Sequence, residues 1–155
     1  HGFRRNRGVN TASTELVEHI IQSLDSKQHT VGVFCDLRKA FDCVNHKILL
    51  CKLENYGIRG TALKLMQSYL SERKQITELK FQNADRIMKT YRSHTEVVKY
   101  GVPQGSILGP FLFLLYINDL PSILKDTKFI LYADDTNVIS SHNSVETLNA
   151  DLFRK

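Results

Sequence analysis

Cysteine is scarce in this chain and badly placed for crosslinking. Cys35, Cys43 and Cys51 are odd in number, and no two form a Cys-x-x-Cys pair. That pattern argues against both a disulfide framework and a zinc site. The three read as reduced thiols inside a cell. The six histidines are scattered without ligand spacing to a cysteine, so His19 and His46 are expected at the surface or the edge of a core. No secretory signal is visible. The longest apolar run, Ile107 to Ile117, is broken by Gly109 and Pro110 and is far shorter than the ~20 residues that span a bilayer. Internal repeats, low-complexity tracts and linkers are also missing. An intracellular protein of the cytoplasm or nucleus is expected, with no membrane partner. The chain begins with His1 rather than Met, so a piece of a longer protein is expected.

What is present suits one domain. The 155 residues can bury a real core, and the 42% hydrophobic fraction is ordinary for a globular protein. The formal net charge of +5 is mildly basic, which suits a polyanion partner without requiring one.

The most informative stretch is Tyr132-Ala133-Asp134-Asp135. An apolar run, Phe129-Ile130-Leu131-Tyr132, precedes the acids and Val138-Ile139 follows them, which reads as strand, tight turn, strand. Adjacent carboxylates on a rigid support are costly unless a divalent cation sits between them. The bland alternative is a solvated turn, since Asp favours turns.

Elsewhere, Arg4, Arg5 and Arg7 lie in a Gly- and Asn-rich opening loop. A helix is expected from Thr11 or Ser13, with Leu16, Val17, Ile20, Ile21 and Leu24 on one face. Val31 to Cys35 reads as a buried strand ending at Asp36. Helices are expected from about Asn45 to Glu54, stopped near Gly57, and over 60–71. Residues 74–100 suggest one or two exposed hairpin strands, and residues 101–105 a turn-rich loop. Ser106 should open a helix apolar on nearly all sides and therefore buried. A last helix is expected from Ser144.

The strands ending at Asp36 and Asp134 are candidates for neighbours in one sheet backed by helices. Asp36, Asp134 and Asp135 would then converge. Three such carboxylates hold two divalent ions roughly 3.5–4 Å apart, the clamp for in-line attack on phosphorus. Mg²⁺ suits that role, with Mn²⁺ as a substitute, because it takes oxygen ligands and shares its shell with phosphates. Taken alone, Asp36 also reads as a strand-end acid capping the next turn.

Three segments together resemble a known family. They are Phe34-Cys35-Asp36-Leu37-Arg38-Lys39-Ala40-Phe41-Asp42, Gly101-Val102-Pro103-Gln104-Gly105-Ser106-Ile107-Leu108-Gly109-Pro110, and Tyr132-Ala133-Asp134-Asp135. In this order they resemble the A, B and C motifs of reverse transcriptases, nearest to those of non-LTR (LINE-type, jockey-like) retrotransposons. Phe113 to Pro121 and the opening Gly2-Phe3-Arg4 are similar to that group as well.

The resemblance implies an α+β polymerase palm, a small antiparallel sheet backed by helices, with part of the fingers. It implies RNA-directed DNA synthesis on an RNA template from a DNA primer, using deoxynucleoside triphosphates and two Mg²⁺ ions. Asp36, Asp134 and Asp135 would be the catalytic metal ligands, with Asp135 the weaker one and the Leu37 carbonyl helping. Phe41 would be the steric gate against a 2′-OH; without the motif it would read as an ordinary core Phe. Gln104 and Gly105 would line the nucleotide pocket, Gly105 by permitting close backbone approach. Gly109 and Pro110 would shape a helix supporting the template strand. Arg4, Arg5 and Arg7 would be the basic fingers segment that contacts triphosphate or template phosphates, with Arg4 the candidate for the nucleotide and Arg5 and Arg7 for the nucleic acid; a solvated basic loop is the alternative for each. Arg38, Lys39, Arg73 and Lys74 are further candidates for phosphate contact, which positions nucleic acid without reading sequence.

Measured against the family pattern, 1–155 is a partial domain. The earliest fingers strands, the distal palm and the thumb are expected to lie outside it. The isolated fragment should therefore show negligible primer extension, which a standard extension assay would check. Two other readings are a non-catalytic nucleic-acid-binding palm from a decayed or domesticated element, and an RNA-templated RNA polymerase. The intact acids and Gln104 speak against the first, and the bulk of Phe41 against the second.

Overall fold

The computed structural model describes residues 2–82, 86, 88–124 and 127–152. The chain forms helices and small antiparallel sheets, divided into two units: His1–Phe41 with Pro103–Lys155, and Asp42–Val102.

The first unit opens with helix α1, Val9–Asp25. Strand β1, His29–Asp36, follows. After the second unit come α4 (Leu108–Ile117), β6 (Thr127–Tyr132), β7 (Asp135–His142) and α5 (Val145–Leu152). The sheet is antiparallel in the order β1-β7-β6. Ala12 on α1 packs with Ile130 and Ile139 of the sheet, and Leu16 and Tyr132 close over them. Lys128 of β6 pairs with Glu15 of α1 beside that core.

Four expectations need correction here. Strand β1 is not buried: it is an edge strand, and Phe34 is 66% exposed. The strands ending at Asp36 and Asp134 are not neighbours, because β7 lies between β1 and β6. On α1, Val17, Ile21 and Leu24 face solvent. The small buried residues Ala12 and Ser23, rather than the largest apolar ones, mark the side that approaches the sheet. Helix α4 buries Gly109, Leu112 and Phe113 but leaves Phe111 half exposed, so it is not enclosed on all sides.

Among its described residues the second unit holds α2 (His46–Asn55), α3 (Gly60–Leu70) and four short strands, β2 (Lys74–Gln75), β3 (Glu78–Gln82), β4 (Met88–Arg92) and β5 (Glu96–Val97). Asn45 caps α2: its Oδ1 accepts from the N–H groups of Lys47 and Ile48 at 3.0 and 3.2 Å, a cap worth about 1 kcal/mol. Gly57, at φ +91°, ends that helix. Leu49, Leu53 and Leu70 are fully buried. His46 is half-buried and its Nε2 bonds the Gly101 carbonyl at 2.8 Å, so it is a structural residue at the core edge. The expected exposed hairpin is two ladders, β2 with β5 and β3 with β4. Among the described residues no helix is long and apolar enough to cross a membrane.

Candidate functional site

The acids are placed by strand pairing and one tight turn. Strands β6 and β7 are joined by Ala133-Asp134 alone, since Tyr132 pairs with Asp135. A two-residue hairpin loop favours positive φ at its first residue, and Ala133 has φ +54°. Gly2 seats the turn from behind: a Cβ at Gly2 would overlap the Ala133 backbone. Asp135 then opens β7 directly opposite Asp36, the last residue of β1.

Cross-strand partners share a face, so the Asp36 and Asp135 side chains stand next to each other. Both are exposed. They line a cavity of about 420 Å³ with Phe34, Tyr132 and Asn137. Asp134, at the hairpin tip, is half-buried and lines a different cavity of about 400 Å³ with Lys39, Phe41, Gln104, Gly105 and Pro110. The structure therefore brings together two acids and sets the third beside the candidate nucleotide-pocket residues. Among the described residues no three Asp, Glu, His or Cys side chains form a metal-holding group. The reason is geometric, because a turn residue leaves the face that its strand neighbours share.

The donor chemistry still fits a hard divalent cation. Like charges directly opposite in a ladder repel. Each of these acids offers only carboxylate oxygens, the ligands Mg²⁺ and Mn²⁺ take.

Phe41 is held on two sides. Its ring stacks on Phe113 at 4.3 Å between centroids and meets the Phe3 ring edge-on at 6.2 Å. It is thus both a packed aromatic and a cavity wall. The Leu37 carbonyl accepts from the Ala40 N–H at 3.1 Å, which closes a turn carrying Arg38 and Lys39. A carbonyl oxygen has a second lone pair, so this bond leaves one acceptor position at Leu37. Lys39 has φ +56°, an uncommon conformation for a residue with a Cβ, and it faces the Asp134 cavity. No sequence signal marked that strain.

The Pro103–Ser106 loop is built by short-range bonds. Ser106 Oγ donates to the Pro103 carbonyl at 2.7 Å and accepts from the Gly109 N–H at 2.9 Å. Gly105 owes its identity here to φ +77° rather than to crowding, since a Cβ there would meet nothing within 4 Å. Close approach within the chain is needed at Gly109, where a Cβ would overlap the Pro103 carbonyl oxygen.

Arg4 and Arg7 line a third cavity with Phe129, Leu131 and Ala133 rather than the cavity that Asp134 lines. The Arg7 N–H donates to the Arg4 carbonyl at 3.2 Å, and Phe3, at φ +59°, is turned to Phe41. Arg5 is exposed. Sequence reasoning did not give Phe3 or Phe113 a part in the site; the Gly2-Phe3-Arg4 motif was the available signal for the first.

The family model described as reverse transcriptase (RNA-dependent DNA polymerase) matches residues 1–153. The chain belongs to the reverse transcriptase family. It is 30% identical over 158 residues to the "RNA-directed DNA polymerase from mobile element jockey" of Drosophila melanogaster, across 97% of the chain and 16% of that protein. It is 32% identical over 155 residues to the "Probable RNA-directed DNA polymerase from transposon BS" of the same species, across 92% of the chain and 15% of that protein. A third relative, named for transposon X-element, is 33% identical over 141 residues, across 88% of the chain and 14% of its own length. This reverse transcriptase chain thus spans about 15% of the length of the relatives it matches.

Proposed function

We propose that this chain carries the polymerising centre of an RNA-directed DNA polymerase encoded by a non-LTR retrotransposon. The unit holding the β1-β7-β6 sheet is read as palm, and the opening residues 1–8 as the end of the fingers. The observation that carries the reading is the hairpin. It sets Asp135 against Asp36 and presents Asp134 to the cavity of Phe41 and Gln104.

In this proposal Asp36, Asp134 and Asp135 hold Mg²⁺, with the Leu37 carbonyl as a further oxygen donor. A divalent ion held there would supply positive charge to acidify the primer 3′-OH and to offset the charge on the pyrophosphate oxygens. Other residues of the chain meet the substrates. The sugar of an incoming deoxynucleotide lies over Phe41, whose ring is fixed by Phe113 and leaves no room for a 2′-OH. Gln104 meets the nucleotide from the loop, and Lys39 offers a cation to its phosphates. Gly109 and Pro110 shape the helix on the template side. Arg4, Arg5 and Arg7 contact phosphates from the opening loop. The partners are an RNA template, a DNA primer and deoxynucleoside triphosphates, and the setting is intracellular.

The test is primer extension on an RNA template by a full-length polymerase carrying this domain. Phe41→Val should raise ribonucleotide incorporation relative to deoxynucleotide by about 10- to 100-fold, the range that one steric contact controls. An unchanged ratio would remove Phe41 from the gate.

A further inference from the structure

The positive charge of this chain is concentrated. Residues 73–100 carry seven basic and three acidic residues, a net +4 of the chain's +5. The same segment is the pair of ladders, whose strand residues are all exposed. A hydrogen bond from the Ser93 N–H to the Thr77 carbonyl at 2.9 Å joins the ladders, and another links Val98 to Arg73 at 2.8 Å.

Pairing sorts the side chains of β3 and β4 onto two faces. Leu79 pairs with Tyr91 and Phe81 with Lys89, so these four share one face. Glu78, Lys80 and Gln82 share the other with Met88, Thr90 and Arg92. That second face is internally satisfied: Arg92 Nε donates to Glu78 at 2.7 Å, and Lys80 Nζ lies 3.1 Å from the same carboxylate. The first face leaves Leu79 65%, Phe81 47% and Tyr91 55% exposed. The Phe81 and Tyr91 rings stack at 5.3 Å with 16° between planes. A bare aromatic face on a two-stranded ribbon calls for a partner, since such ribbons are marginal alone.

We propose that this face binds single-stranded RNA, the template of the reaction above. Bases stack on the Tyr91–Phe81 pair while Lys89 and the flanking basic residues meet phosphates. Aromatic rings inside a positive ribbon are the combination that holds single strands without reading sequence. Lysine in register with Phe81 speaks against a protein partner, because the centres of protein interfaces are depleted in lysine. The identity of the strand rests on the polymerase reading; the binding does not require catalysis.

The experiment is fluorescence anisotropy on the 155-residue chain with a labelled single-stranded RNA of about 20 nucleotides, in EDTA and without nucleotides. Phe81→Ala with Tyr91→Ala should weaken binding about 10-fold or more, and Tyr91→Phe should keep it. Lys89→Ala should lower the slope of log affinity against log salt by about 0.7. Circular dichroism controls for folding, and the two single variants carry the test if the double one misfolds. Unchanged affinity in the double variant would overturn the proposal. So would tighter binding to single-stranded DNA of the same sequence, or a dimer that the same substitutions dissociate while RNA binding persists. Because no metal is present, these outcomes are separate from loss of primer extension.

Discussion

Asp134→Asn should lower Mg²⁺-dependent primer extension by on the order of 10³-fold in a full-length polymerase carrying this domain, the scale expected when a metal clamp worth several kcal/mol is lost. The substitution keeps the shape of the side chain and touches no core contact. Asp134 lies in a two-residue turn, so strand pairing and the Gly2 seat behind Ala133 should survive it. RNA binding without metal should survive as well. The structure makes the comparison with Asp135→Asn decisive. Asp135 is the residue paired with Asp36, whereas Asp134 faces the cavity of Phe41 and Gln104. If the nucleotide lies in that cavity, Asp134→Asn should be the severe variant and Asp135→Asn the milder one. Near-normal extension by the Asp134 variant, with a dead Asp135 variant, would move the metal site to the Asp36–Asp135 face.

The sequence made some of this arrangement legible because the signals are local. Asn45 and Gly57 bracket α2 through a cap and a left-handed stop, both readable from a few residues. The Tyr132–Asp135 hairpin follows from two apolar runs around a short turn. Strand order was not legible. Whether β6 or β7 lies beside β1 depends on long-range pairing, and both carry apolar residues, with the acids at the turn between them. The separation of Asp134 from the Asp36–Asp135 pair follows from that order and from the single-residue difference between turn and strand. The stripe of α1 that meets the sheet was misread in part: Leu16 packs on the core, but small residues, Ala12 and Ser23, permit close packing while Val17, Ile21 and Leu24 remain outside. The positive φ of Lys39 left no trace in residue type, since lysine is an unusual choice for that conformation. The spacing of the three motifs was enough to identify the family, while the sorting of side chains into cavities needed coordinates.

Phe113→Ala should cost about 3–5 kcal/mol of folding stability, the usual range for removing a buried aromatic ring. Phe113 is only 1% exposed and belongs to the buried face of α4. Against a typical total of about 5–15 kcal/mol, that loss should produce a large fall in the urea midpoint. The effect should reach the site as well, because the Phe113 ring is the surface on which Phe41 stacks. Phe113→Leu separates the two consequences. It keeps most of the volume, should cost less than about 1.5 kcal/mol, and removes the flat ring under Phe41. In primer extension, Phe113→Leu should relax discrimination against ribonucleotides, but less than Phe41→Val does. A stability loss below about 1 kcal/mol for Phe113→Ala would show that the stack is not part of the core. Unchanged sugar discrimination in a folded Phe113→Leu variant would show that Phe41 is held by other contacts, with the edge-on ring of Phe3 the remaining support.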